Sequence, residues 1–165
     1  MVNYSGQPVL VTIDVFGEVQ IRRHLLRFGE RALRATPLWN SLYNDLMNIE
    51  QVQFLSEGQH GSAGWLPLAE ATVRDKQRKG LQPWILRATE VLYESLTRRN
   101  ALGQIREITP TFMRFGSDIP YGILHQHGTV RMARRKVIDI TEPERVGIVK
   151  KVQRFIVTGE VTPLI

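Results

Sequence analysis

The apolar residues of this chain change their spacing at Gly17, and that change constrains the fold more than any other feature. Before it, in PVLVTIDVFG, Val9, Val11, Ile13 and Val15 alternate with Leu10, Thr12 and Asp14, the period-two pattern of a strand. Beyond it, Ile21, Leu25, Phe28 and Ala32 recur at helical spacing, while Arg23, Arg27, Arg31 and Arg34 run along another face. A strand that hands over directly to an amphipathic helix with an arginine stripe points to a mixed class.

The rest of the chain extends the mixture. Thr36 followed by Pro37 predicts an N-cap and a first-turn proline for a second helix, carried by Leu38, Trp39, Leu42, Tyr43, Leu46 and Ile49 to about residue 50. QFLSEGQHGSAGWLPLAEAT is glycine-rich yet holds Phe54, Trp65 and Leu68, so it reads as a long loop that becomes ordered only when those side chains find a pocket. LAEATVRDKQRKG predicts a short polar helix with Glu70 to Arg74 and Asp75 to Lys79 at i,i+4 and a stop at Gly80. WILRATEVLYESLTRR predicts another, with Ile85, Val91, Leu92 and Leu96 inward. QIREITPTFMRFG reads as a hairpin turning at Thr109 and Pro110, and RRKVIDI as a last strand. In TEPERVGIVKKVQRFIVTG, Thr141 and Glu144 form a capping box around Pro143. Val146, Val149, Val152, Phe155 and Ile156 make the apolar face, and Gly159 ends the helix.

The expected order is therefore β, α, α, loop, α, α, β, β, short turn, β, α: an α+β domain over residues 1–159 with one small, mostly antiparallel sheet, followed by an extended tail at 160–165. A hydrophobic share of 42% and a charged share of 23% suit one ordinary globular core and argue against disorder or a fibrous repeat. No apolar run is long enough to span a membrane, and MVNYSGQPVL does not resemble an export signal. With no cysteine at all, disulfides, thiolate nucleophiles and thiolate metal sites are excluded, so stability rests on packing or partners.

Charge is the one unusual bulk property. Twenty-two Lys and Arg stand against sixteen Asp and Glu, a formal net charge of +6, which favours polyanionic partners without specifying a fold. The cations concentrate at Arg22 to Arg34, at Arg74 to Lys79, and at Arg131 to Lys136. No basic motif interleaved with aromatics accompanies them, so a solvated basic face competes with a nucleic-acid site.

IPYGILHQHG, Ile119 to Gly128, is the one stretch that suggests chemistry, because His125 and His127 stand two apart. On a helix such a pair points about 200° apart and shares no metal, and on a strand it still lacks a third ligand. His24 and His60 bear no spacing relation to it. GxSxG, GxGxxG, Walker and HExxH motifs are all absent from the sequence. No catalytic constellation, cofactor or metal is expected.

The order of the punctuating segments does carry information. FLSEG (Phe54 to Gly58), GWLPL (Gly64 to Leu68), Ala71, Thr72 and Lys76, ILRATEVLYESL, RFGSDIPYGILHQHG and the basic ARR resemble the successive blocks of the phage virion morphogenesis, or tail completion, family. These are small proteins of tailed phages and prophages that act where the tail tube meets the head. The blocks run from about residue 50 to 136. The chain departs from the family pattern in three places: Thr89, Glu90 and Leu92 stand where Thr-Gly precedes a leucine, His127 where an aromatic precedes the closing glycine, and Arg134, Arg135 and Lys136 where Arg-Pro-Phe is common. Without the glycine, position 90 is expected to have ordinary helical dihedrals. His127 in an aromatic slot reads as packing, so IPYGILHQHG is expected to be a short helix presenting Tyr121, Ile123 and Leu124 to the core or a neighbour.

The resemblance implies a structural virion protein: a homo-oligomeric, sixfold ring that completes the tail, binds the tail tube protein and the connector or portal-side proteins, and lets double-stranded DNA pass without sequence specificity. It implies a place in the neck of the virion after assembly in the host cytoplasm, and no membrane. Trp65, Leu66, Leu68, Tyr121, His125 and His127 are the interface candidates, with Trp65 as the anchor of a loop fixed on assembly. Arg23, Arg27, Arg31 and Arg34 are the candidates for a DNA-facing lumen, with salt bridges between subunits as the competing role. The alternative from another class is a small basic nucleic-acid-binding protein that lays the same arginine helix on phosphates.

Overall fold

The structure, a computed structural model, describes residues 18–61 and 64–164. The strand read at Val9 to Val15 lies outside them. Six helices and two strands follow in the order α1 (Glu18–Leu33), α2 (Thr36–Leu55), α3 (Glu70–Arg78), α4 (Val91–Thr97), β1 (Gln104–Ile108), β2 (Met113–Ser117), α5 (Pro120–His127) and α6 (Glu142–Thr158). The fold is α+β, with a small antiparallel sheet packed on helices.

α2 is the axis. Leu38, Leu42, Leu46, Ile49 and Gln53 form one buried row along it, and Tyr43, Glu50 and Phe54 a second, so two faces of the helix are covered at once. Its cap is Ala35 rather than the expected Thr36. Ala35 is buried, and its backbone N–H donates to the Pro110 carbonyl of the hairpin turn at 2.8 Å. Ala35, Leu38 and Leu42 pack with Phe155 of α6 in one cluster, joined by Leu164 from the 160–164 stretch. At the other end Phe54 packs with Trp65, Ile85, Leu92, Leu96 and Val137 in a second.

The hairpin turns where its sequence predicts. Thr109 Oγ1 accepts the N–H groups of Thr111 and Phe112 at 3.3 and 3.1 Å, a hydroxyl-held turn. The register then runs from Gln104 opposite Ser117 to Ile108 opposite Met113. One face lies on α2 and α4, with Phe115 edge-on to Tyr43 at 5.2 Å and Ser117 hydrogen-bonded to Ser95 at 2.7 Å.

The expected strand at RRKVIDI does not form. Residues 133–140 are irregular, with a bend at Val137 and Ile138, because side chains meet the backbone groups that a strand partner would. The Gln126 amide does this most directly: Oε1 accepts the N–H of Val137 and Ile138 at 2.7 and 3.0 Å, and Nε2 donates to Ile138 O at 2.9 Å. A glutamine amide offers the same donor and acceptor as a peptide unit, so one residue replaces a neighbouring strand.

α6 begins at the expected capping box and ends at Gly159 in the left-handed region, φ 82°. Its buried face is shifted from the expected one. Val146 and Val149 are exposed, whereas Phe155 and Lys151 are buried, because the Lys151 ammonium is drawn to Asp45 and to Ser41 Oγ of α2. Glu90, the N-cap of α4, lies at φ 61°, ψ −9°, so the expected helical geometry there is corrected to a left-handed turn. The turn is held by Arg87, which packs over the Trp84 and Tyr93 rings at 4.3 Å each and donates to Glu90 Oε2 at 2.8 Å. α4 starts only at Val91. The residues ahead of it wrap Lys76, whose ammonium donates to the carbonyls of Gln82, Trp84 and Arg87.

The loop expected to order only on assembly is pinned within the chain at its described residues, through Trp65. Trp65 is 7% exposed, edge-on to Phe54 at 5.3 Å, and its Nε1 donates to the Lys136 carbonyl at 2.8 Å. Gly58 lies against the ring so closely that a Cβ there would stand 2.4 Å from Trp65 Cδ1. Trp65→Ala is therefore expected to cost the monomer about 3–5 kcal/mol in denaturant unfolding. Trp65→Phe, which loses chiefly the hydrogen bond, is expected to cost about 1–2 kcal/mol. An unchanged unfolding midpoint in Trp65→Ala would return Trp65 to the role of an interface anchor.

Candidate functional site

The histidine pair does not form a site. α5 starts at Pro120 and stops at Gly128, φ 74°, and its helical turn sends the two rings apart. His127 is exposed. His125 is half-buried and edge-on to Tyr121 at 6.3 Å, and its Nδ1 is buried without a hydrogen-bond partner. Burial, then the Arg135 charge, push the His125 pKa down, which keeps the ring neutral. Among the described residues no three His, Asp or Glu side chains are grouped to hold a metal. The residue that does the connecting is Gln126, between the histidines. Sequence reasoning passed over it because an amide that substitutes for a strand has no spacing signature.

Three of the six interface candidates come together. Leu68, Tyr121 and His125 line one cleft of about 650 Å³ that also receives Lys76, Arg87, Arg131 and Arg135, with no carboxylate in its wall. Most of these cations are engaged in holding loops. Arg135, 9% exposed, donates through Nε to Leu66 O at 3.0 Å and through Nη2 to Pro67 O at 3.2 Å. Leu66 is exposed, His127 is exposed on the far side of α5, and Trp65 is in the core, which corrects its assignment as an inter-subunit anchor. On α5, Tyr121, Ile123 and Leu124 are 39%, 60% and 44% exposed, so they face outward rather than into the core.

The arginine helix is the least satisfied element. Ile21 and Leu25, expected to pack inward, are 49% and 61% exposed, and Val19, Leu26 and Leu33 lie between 61% and 66%. The reason is Arg31. Its Nη1 donates to the Ile156 carbonyl at 2.9 Å and also to Val157 O, meeting the free carbonyls at the end of α6. This corrects Arg31 as a lumen-facing residue. α1 meets the body along the strip at Phe28 and Arg31, its two half-buried residues, and its other described side chains, polar and apolar alike, are exposed. Arg23, Arg27 and Arg34 are exposed and make no ion pair among the described residues.

One buried acid calls for separate explanation. Glu50 is fully buried on α2, and neither carboxylate oxygen has a partner; Gln53 Oε1, one turn on, is likewise unpartnered. Burial first, then Glu144 and Asp139, raise its pKa to about 8. Strongly shifted carboxyls mark functional sites when a cleft reaches them. Glu50 is not in the wall of the neighbouring cleft formed by Asp45, His60, Glu144, Lys150 and Leu164, so it acts as a neutral packed acid. Glu144 is tuned the other way. Burial pushes it up, but hydrogen bonds from the Thr141 hydroxyl and backbone and from His60, 2.7 Å away, hold it below the usual range.

No protein-family model, no curated protein and no solved structure matches the chain.

Glu50 sets a pH dependence. Between its ordinary 4.5 and about 8 the native state keeps a proton that the unfolded chain has released, so this contribution is fully present below the lower value and is lost as pH rises through the upper. The slope from this group is at most about 1.4 kcal/mol per pH unit. Glu50→Gln, neutral at every pH, is expected to flatten the decline measured by urea unfolding across that window. Equal slopes in the two proteins would mean that Glu50 is ionised in the native state.

Proposed function

We propose that this chain is a structural virion protein of a tailed phage or prophage that assembles as a closed ring, completes the tail and joins the tail tube to the head-side connector. Support comes first from the ordered sequence blocks between residues 50 and 136. The structural observation that carries the reading is α1: an amphipathic helix that meets its own body at Phe28 and Arg31 and leaves Val19, Ile21, Leu25, Leu26 and Leu33 half to two-thirds exposed. A contiguous uncovered apolar face of that kind marks an association surface. The outward Tyr121, Ile123 and Leu124 of α5 give the subunit a second, different face, as a heterologous ring requires.

Arg23, Arg27 and Arg34 fit the passage of double-stranded DNA through such a ring. They are solvated cations along one helix face, able to meet phosphates at any sequence. The same three residues suit the alternative of a small basic nucleic-acid-binding protein, and oligomeric state separates the two. Negative-stain images of the purified protein are expected to show closed rings. Arg23→Glu with Arg27→Glu should leave rings closing while weakening duplex binding, each lost phosphate contact lowering the log–log salt slope by about 0.9. A monomer that binds one duplex sequence tightly would replace the ring with the alternative.

A further inference from the structure

We propose that α1 of one copy lies in the apolar groove between α4, β2 and α5 of a neighbouring copy, with Arg22 meeting Asp118. The proposal rests on the homo-oligomer reading above and says which surfaces make the contact.

The arm side follows from the helix itself. Ile21, Leu25, Phe28 and Ala32 form one row and Val19, Leu26 and Leu33 an adjacent one, with Arg22 and Gly29 between the rows. Five of these apolar side chains are half to two-thirds exposed. Together they present on the order of 500 Å² of apolar surface, a substantial part of the ~800 Å² per partner of a stable interface. The arm is tied to its own body near its C-terminal end, through Arg31 to α6 and through Ala35 to Pro110. Its sixteen residues span about 24 Å, so the first turns stand clear of the subunit that bears them.

The groove side is on the same molecule. Ile119, Ile123 and Ile138 line a depression of about 460 Å³ over the buried Leu92, Leu96 and Val137, with Ile123 its exposed apolar side chain. Asp118 is its one charged lining residue; it is exposed and has no ion-pair partner among the described residues. On the arm, Arg22 is the one cation set within the apolar half, and it too is unpaired among the described residues. A lone cation in an apolar helix face and a lone acid in an apolar groove are complementary in charge. A membrane surface would receive the apolar rows equally well but would leave Arg22 in the middle of the buried face, which favours a second copy as the occupant. Arm and groove are different surfaces, so the contact is head-to-tail and propagates around a ring.

The chain lacks cysteine, which makes the contact directly testable. Full-length Leu25→Cys and full-length Ile123→Cys, mixed and treated with a flexible bis-maleimide, should give cross-linked pairs between the two variants. Both positions are exposed, so the variants fold. Asp118→Arg should weaken assembly about 100-fold by native mass spectrometry, and Arg22→Asp in the same chain should restore it. Assembly unaffected by Asp118→Arg, or Leu25→Cys linking only to itself, overturns the arm-in-groove contact while leaving a ring in place. A wild type that stays monomeric at every concentration overturns both. Binding of the monomer to anionic lipid vesicles, lost in Leu25→Asp, assigns the arm to a membrane surface and overturns the proposal as well.

Discussion

The carbonyl of Lys136 joins the parts of this fold that share no secondary structure. It accepts from Gln53 Nε2 at 3.1 Å and from Trp65 Nε1 at 2.8 Å, so one oxygen ties α2, the glycine-rich loop and the irregular 133–140 stretch together. The neighbouring backbone of that stretch is held by Gln126. A buried peptide group without a partner costs about as much as a lost hydrogen bond. The large side chains of the loop therefore close over a core that would otherwise contain bare carbonyls.

The body and α1 differ in how far their side chains are met within the chain. In the body Lys151 is paired with Asp45 and Arg135 with two carbonyls, and burial keeps Glu50 neutral, while Gln53 Oε1 and His125 Nδ1 stay without a partner. On α1, five apolar side chains stay half to two-thirds exposed.

Where structure is decided within a few residues, the sequence was legible. The period of α2, the Thr141 and Glu144 box, Gly128 and Gly159 as stops, and the hairpin turn at Thr109 all depend on neighbours in the chain. What depends on distant groups was not legible. RRKVIDI has strand composition, but Gln126 occupies the place of its partner. Val146 and Val149 fall on the apolar stripe of α6, but the pull of Asp45 on Lys151 sets which side is buried. Arg31 belongs to an arginine stripe by spacing, yet its role is to cap a helix whose end lies 125 residues away. Glu90 lacks the glycine its turn calls for, and the ion pair with Arg87 that holds it there has no motif. The candidate site was legible in part for the same reason: exposure at Tyr121 follows from the helix, whereas the burial of Trp65 follows from Lys136.

The carbonyl cage around Lys76 bears on the order of events in folding. Gln82, Trp84 and Arg87 turn their oxygens toward a single ammonium, much as an ionophore wraps an ion, except that this ion is tethered to α3. Until α3 forms, the tether has no fixed position and the 81–87 stretch has nothing to wrap. Once it forms, the closing contacts are only six to eleven residues apart, and such short loops close quickly. Ile85 then enters the core and Arg87 meets the turn at Glu90 from which α4 starts. One nine-residue polar helix thus holds, through a single ammonium, the stretch that carries Ile85 into the core and leads to the start of α4.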